Sequence, residues 1–227
     1  MEFKEKATGL LQSVSSFYQE NKNRVLYVGG GILAIAAGFI AWNFYYIPQQ
    51  EEAASEKFAK ISHFFATDSM DIVLKGDKKR KITSAVEIAD DYSFTKKGKE
   101  AALMAGLAYL NKGQTEKALE YLNKFEADDS YLYPSVIAAK ATCYSDQGDY
   151  KKAAGLYEKA AKEANSEASA NFYVRAAQHY EKAEDLSSAL ECYQVVLKKY
   201  STAEDGKYLQ NAELNIYRLK GLMGDLN

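Results

Sequence analysis

Residues 141–157 read ATCYSDQGDYKKAAGLY, and their pattern of small, aromatic and turn-forming residues recurs twice more along the chain. The small residue Ala141, the aromatic Tyr144 and the turn residue Gly148 are followed by a second small residue, Ala153. The pattern also occurs 35 positions earlier and 36 positions later. A period of this length is typical of solenoids, in which stacked helical units bury apolar faces that no unit could bury alone. We therefore predict an all-α chain with three such units over residues 99–202.

Each residue type in the pattern has a packing role. The small residues should stand where the two helices of a unit cross: Gly106, Ala141 and Ala177 on the first helices, and Ala118, Ala153 and Ala189 on the second. Tyr109, Tyr144 and Tyr180 should fill the wedge between the helices. Gly113 and Gly148 are expected to end first helices in a left-handed cap. Glu184 occupies that position in the third unit, which predicts a less tight turn.

These units resemble the tetratricopeptide repeat, a helix-turn-helix motif of about 34 residues. The resemblance implies a superhelix whose first helices line a groove for a peptide or a partner helix. In this register the groove residues are Leu103, Leu107, Leu110, Asn111, Ala138, Thr142, Ser145, Asp146, Val174, Gln178, Glu181 and Lys182. Members of the family that clamp a carboxylate have Lys and Asn where this chain has Leu103 and Leu107. An apolar or amphipathic ligand is therefore expected.

The flanking segments are helical in pattern. Residues 48–98 are predicted to be a helical linker and a degenerate repeat, with Glu51–Ala66 and Thr83–Tyr92 as its helices. Thr67–Lys81 is predicted to be an inserted loop. Its basic run, residues 78–81, is interpreted as a solvated cluster that could also meet an acidic surface or lipid headgroups. Residues 203–227 are predicted to be a capping helix and tail, with the apolar stripe Leu209, Ala212, Ile216 and Leu219.

Residues 25–47 contain no Asp, Glu, Lys, Arg or His and are predicted to be a transmembrane helix. As a helix they would rise roughly 35 Å, and a bilayer core is about 30 Å thick. Trp42, Tyr45 and Tyr46 near the far end suit a membrane interface. A cleaved signal peptide is the competing interpretation, although its apolar region usually has about 7–15 residues.

The flanks of this segment predict its orientation. Lys22 and Arg24 precede it, and Glu51 and Glu52 follow it, so the N-terminus should stay in the cytoplasm and the repeats should cross. Residues 1–24 have the pattern of a cytoplasmic amphipathic segment, on the membrane surface or on a partner. One face of the span consists of small residues: Gly30, Ala34, Gly38 and Ala41. Either they allow another transmembrane helix to pack closely, or they are simply common in membrane spans.

No pattern typical of an enzyme or a cofactor site is found. The net charge of −2, with both signs mixed, disfavours nucleic acid as a partner. His63 and His179 are single residues without a nucleophile-and-carboxylate set or metal-ligand spacing nearby. Cys143 and Cys192 are interpreted as two free, buried thiols, although an oxidising compartment would permit a disulfide.

Several features together are similar to the YfgM-type ancillary subunit of the SecYEG translocon. These are Phe17, Glu20 and Asn21 before a small-residue-rich span, Trp42 near its exit, and the repeats that follow. The motifs at 109–113 (YLNKG) and 122–125 (LNKF), with Asp128 and Asp129, are similar to forms from Bacteroidota.

The resemblance implies a single-pass protein of the bacterial inner membrane with periplasmic repeats. Its partners would be translocon subunits, periplasmic chaperones or secreted clients. The alternatives are a structural scaffold for an envelope or cell-division complex, with homo-oligomerisation left open, and a mitochondrial import receptor with cytosolic repeats. The absence of clamp residues weakens the last of these.

Overall fold

The computed structural model of the chain describes residues 15–125, 131–166, 168–200 and 206–224. Within these ranges the chain is helical apart from turns and one isolated bridge between Asp77 and Ile82. It divides into two compact units, one up to Glu52 and one from Ala53 onward.

The first unit contains the apolar segment. Residues 15–20 are helical, and helix α1 spans Lys22–Ala41 with none of its residues buried. A π-helical turn, Trp42–Tyr46, follows, and helix α2 begins at Ile47 and ends at Ala66. By length and composition, the helix over Lys22–Ala66 is long and apolar enough to cross a membrane. Most of the predicted amphipathic segment, residues 1–14, lies outside the described residues.

The second unit is an array of helices. After α2 come α3 (Met70–Lys75), α4 (Ala85–Asp91), α5 (Lys96–Asn111), α6 (Thr115–Lys124), α7 (Tyr133–Asp146), α8 (Tyr150–Ala164), α9 (Ala168–Lys182), α10 (Leu186–Lys199) and α11 (Gly206–Met223). From α4 to α11 every helix contacts its successor in the sequence. The pairs α5–α6, α7–α8 and α9–α10 are the three helical units predicted from the repeat.

The small residues lie at helix crossings, as predicted. A Cβ atom added to Gly106 would lie 2.7 Å from the Cγ atom of Leu122, a residue of α6, so α5 and α6 approach too closely for any side chain there. Ala141 and Ala177 on the first helices are fully buried. So are Ala118, Ala153 and Ala189 on the second helices.

The turns within the three units have one geometry, which corrects the expectation for Glu184. Gly113, Gly148 and Glu184 all have positive φ, at 69°, 81° and 60°. In each turn the next amide, that of Gln114, Asp149 or Asp185, donates to the carbonyl of the tyrosine five residues before it at 2.9 Å. The backbone hydrogen bonds of the turn therefore hold Glu184 in the left-handed conformation that glycine adopts more easily.

The most deeply buried tyrosines of the repeat pattern are those of the second helices, which the sequence analysis did not single out. Tyr109, Tyr144 and Tyr180 are half-buried. In contrast, Tyr121, Tyr157 and Tyr193 are at most 7 % exposed. Tyr109 and Tyr180 still pack against the core clusters, so the tyrosines of both helices contribute to the core and those of the second helices are the more deeply buried.

The predicted inserted loop at 67–81 is partly wrong, because it contains α3. Val73 is fully buried in one cluster with Ile61 of α2, Ile88 of α4 and Ala105 of α5. Helix α3 therefore belongs to the core of the second unit. The basic run at 78–81 is exposed, as predicted.

Helix α11 covers the last repeat in the way expected of a cap. Ala212, Ile216 and Leu219 are buried against α10, and Leu209 is half-buried in the same cluster. The opposite face of α11 exposes Leu214 and Tyr217. The two cysteines, Cys143 and Cys192, are free and buried, as predicted.

Candidate partner-binding groove

The first helices of the three units and the cap helix form one continuous side of the repeat array. Helix α5 contacts α7, and α9 contacts α11. The Nε2 atom of His179 on α9 lies 2.9 Å from the Oγ atom of Ser145 on α7. Arg218 of α11 forms an ion pair with Glu181 of α9. These contacts join α5, α7, α9 and α11 along the side where the sequence places the groove residues, and we refer to this side as the first-helix face.

The α5 end of the first-helix face is apolar. Leu103, Leu107 and Leu110 are half-buried, because they pack against the cluster formed by α6 and α7. Asn111 is exposed at the end of α5. Beside it, the Nζ atom of Lys112 donates to the Oδ2 atom of Asp71 at 2.8 Å, which joins α3 to this end.

The middle of the face combines small and hydroxyl side chains from α7. Ala138 and Ser145 are half-buried, and Asp146 is exposed. The hydroxyl of Thr142 donates to the carbonyl of Ala138 at 3.1 Å and lies 2.8 Å from the hydroxyl of Tyr157. The buried tyrosine of α8 thus reaches the edge of the groove.

The α9 end of the face is polar and includes an open cavity of about 500 Å³. Gln178 and Lys182 are exposed there, and Glu181 is half-buried. The hydroxyl of Tyr193 donates to the Oε1 atom of Glu181 at 3.1 Å. Val174 is only 6 % exposed and belongs to the core, so it offers no groove surface, and we remove it from the predicted set.

Four residues of this cavity were missed by the sequence analysis: His179, Tyr193, Asn215 and Arg218. The repeat period could have indicated two of them. Asn215 and Arg218 lie 37 positions after Gln178 and Glu181. The first-helix pattern therefore continues, weakened, into the cap helix, and α11 supplies polar groups to the groove.

Burial shifts the pKa values of two groups in this cavity, His179 and Tyr193. Desolvation is the main cause that lowers the pKa of His179, and the nearby positive charges of Lys182 and Arg175 act in the same direction. The carbonyl of Arg175, 2.7 Å from the Nδ1 atom of His179, opposes this effect. A neutral ring with its proton on Nδ1 satisfies both contacts, since Nε2 then accepts from the Ser145 hydroxyl. Burial likewise raises the pKa of Tyr193.

The predicted packing face of the apolar helix is open. Gly30, Ala34, Gly38 and Ala41 are all exposed. A Cβ atom added to Gly30 or Gly38 would meet nothing within 4 Å. Within the described ranges, no group of three or more His, Cys, Asp and Glu side chains is placed to hold a metal ion.

Two family models match the chain. Residues 15–138 match the model of the tetratricopeptide repeat-like domain, and residues 136–169 match that of the tetratricopeptide repeat. The second match covers α7 and α8, the two helices of the second unit. A comparison with curated proteins finds no match.

Proposed function

The chain belongs to the tetratricopeptide repeat-like domain family, and we propose that it is a membrane-anchored protein-interaction module. The observation that carries the proposal is the continuous first-helix face, which changes from half-buried leucines on α5 to exposed polar side chains on α9. Stacked repeats bind partners along such surfaces, and an amphipathic helix or extended segment fits this gradient. Tetratricopeptide repeat families are in general non-catalytic interaction modules, and no enzymatic activity is proposed.

The proposed anchor is the apolar segment 25–47, with the N-terminus in the cytoplasm and the repeats in the periplasm. Its length and its unburied surface support the anchor, and the basic residues before it support this orientation. Buried Cys143 and Cys192 simplify a topology test, because burial raises the pKa of the Cys143 thiol to about 11 and that of Cys192 to about 12.

The topology test uses two exposed positions, Asn23 and Gln147. In intact cells whose outer membrane is permeable to it, an impermeant maleimide should label the Gln147→Cys variant. It should label the Asn23→Cys variant only after the inner membrane is opened. The reverse pattern would place the repeats in the cytoplasm.

We propose the SecYEG translocon and its network of periplasmic chaperones and secreted clients as partners. The support is the similarity of the span, its flanks and the repeats to the YfgM-type subunit. Gln178 and Gln194 are exposed glutamines of the same unit, on its first and second helix. The Gln178→Arg variant should co-purify roughly tenfold less of the translocon subunits, since it adds a charge within the groove. The Gln194→Arg variant should retain them.

A structural scaffold for an envelope or cell-division complex is the second candidate. The open small-residue face of the span favours it, because such faces allow a second helix to pack closely. The Gly38→Ile variant should then reduce partner recovery, while the Gln178→Arg variant should leave it unchanged. The opposite outcome would favour the groove as the working surface.

A further inference from the structure

The turn that follows α3 carries a high density of positive charge. Residues 75–82 hold five basic side chains and one carboxylate, whereas the net charge of the whole chain is −2. Lys78, Lys79, Arg80 and Lys81 are consecutive, and all four are exposed. We call these four residues the basic loop.

The structure holds the basic loop in one conformation. The amide of Asp77 donates to the carbonyl of Ile82 at 2.9 Å, and the amide of Ile82 donates back at 2.8 Å. The Oδ1 atom of Asp77 accepts from the amides of Lys79 and Arg80 at 2.9 and 3.1 Å. Ile82 packs against the core cluster that contains Val73. The four cations are therefore presented together by an ordered turn that is fixed to the core.

The nearby carboxylates are already engaged. The Oδ2 atom of Asp77 lies 3.4 Å from the Nε atom of Arg80. Asp71 pairs with Lys75 and Lys112. In the part of the chain that the structure describes, Lys78, Lys79 and Lys81 have no acidic side chain within ion-pair distance. Their mutual repulsion is relieved when an external anionic surface approaches.

We propose that the basic loop contacts the anionic headgroup surface of the membrane that holds the anchor. Lysine is a compact, strongly hydrated cation, and several lysines together suit a diffuse negative surface better than a single shaped ligand. Attraction to anionic lipid increases with each lysine and decays within a Debye length. Only 29 residues lie between Ile47 and Asp77, so the anchor keeps the lipid at high effective concentration. The inference rests on the anchor of the proposed function and is independent of the protein partner.

The test compares trypsin cleavage within the basic loop in two lipid environments. The full chain is reconstituted in nanodiscs of phosphatidylcholine alone, or of two parts phosphatidylcholine to one part phosphatidylglycerol. Cleavage is measured by mass spectrometry relative to cleavage after Lys151, an exposed lysine of α8, so that any effect of lipid on trypsin cancels. The relative rate should be roughly fivefold lower in the anionic discs and should recover at high salt.

The control variant carries Lys78→Gln, Lys79→Gln and Lys81→Gln and keeps Arg80 as its cleavage site. It should be cut equally fast in both kinds of disc. Equal relative rates for the native chain in the two lipids would overturn the proposal, and so would protection that persists in the variant. A chain that does not co-elute with the discs would contradict the anchor instead, which separates the two failures.

Discussion

Glu184 shows how a single residue can depart from a repeat while its backbone does not. Its φ of 60° matches the turn glycines of the other two units, and its side chain is exposed. The left-handed conformation costs a residue with a Cβ atom about 1–2 kcal/mol, and glycine avoids this cost. The hydrogen bonds of the turn and the packing of α9 on α10 compensate for this cost.

The Glu184→Gly variant is therefore expected to be more stable than the native chain by about 0.5–1 kcal/mol, because the higher entropy of unfolded glycine offsets part of the gain. Urea unfolding in detergent, followed by circular dichroism, measures the change. The Gly148→Ala variant makes the opposite kind of change, and its free energy of unfolding should fall by about 1 kcal/mol. A destabilised Glu184→Gly variant would show that the Glu184 side chain makes a contribution that its exposure does not suggest.

His179 gives the stability of the repeats a pH dependence at the residue scale. Its pKa is lowered in the folded state, so the ring stays neutral there while the unfolded chain still binds a proton. The groups around it are the cations Arg175 and Lys182, the Ser145 hydroxyl and the rings of Tyr150 and Tyr157. The contribution of His179 to the free energy of unfolding is therefore fully present above the unfolded pKa of about 6.5. It declines as the pH falls below that value.

We expect the His179→Gln variant to lose less stability than the native chain between pH 7.5 and pH 5. Carboxylates titrate in both proteins, so the difference between the two losses isolates the histidine. Denaturant unfolding at the two pH values provides the measurement, and His63→Gln on the exposed face of α2 is the matched control. Parallel pH profiles for native and His179→Gln proteins would contradict the account of this site.

At the scale of the element, the structure assigns the larger packing role to the second helices. Tyr193 is 1 % exposed, and its hydroxyl donates to Glu181 across the unit. Tyr144 is half-buried, with the Nζ atom of Lys152 3.8 Å from the centre of its ring. The Tyr193→Ala variant should therefore lose about 3–5 kcal/mol of unfolding free energy.

The Tyr144→Ala variant should lose markedly less unfolding free energy, because the Tyr144 side chain is only half-buried. Thermal unfolding of the two variants side by side makes the comparison. Equal losses would mean that the first-helix aromatic fills the wedge after all, as the spacing alone predicts.

The helices that sequence predicts well are those with a repeated pattern. The period of about 35 residues predicted α5 to α10, because the small residues have the same packing role in all three units. Helix α3 was not predicted, because six residues are too few to show a helical period. Its place in the core depends on Val73 packing in one cluster with residues from three other helices. A local sequence pattern cannot predict such a long-range contact.

At the scale of the molecule, the chain combines an apolar helix that is long enough to span a membrane with an array of tetratricopeptide repeats. The period places the predicted groove residues on the first helices, and, Val174 excepted, their role in binding stays a prediction. The contribution of α11 was missed because Leu214 stands where the first helices of the three units have a small residue, although Tyr217 keeps the aromatic. The cap helix adds to the polar end of the face by bringing Arg218 to Glu181, a contact across 37 residues.

The central claim is that the first-helix face binds a protein partner, and crosslinking in intact cells tests it most directly. A photoreactive residue is placed at Gln178 on that face or, as the control, at Gln194 on the second helix of the same unit. Both side chains are exposed, so a bulky probe disturbs neither core. The account predicts adducts with translocon subunits, chaperones or secreted chains from position 178 and not from position 194. Equal adducts from both positions, or self-adducts alone, would contradict it.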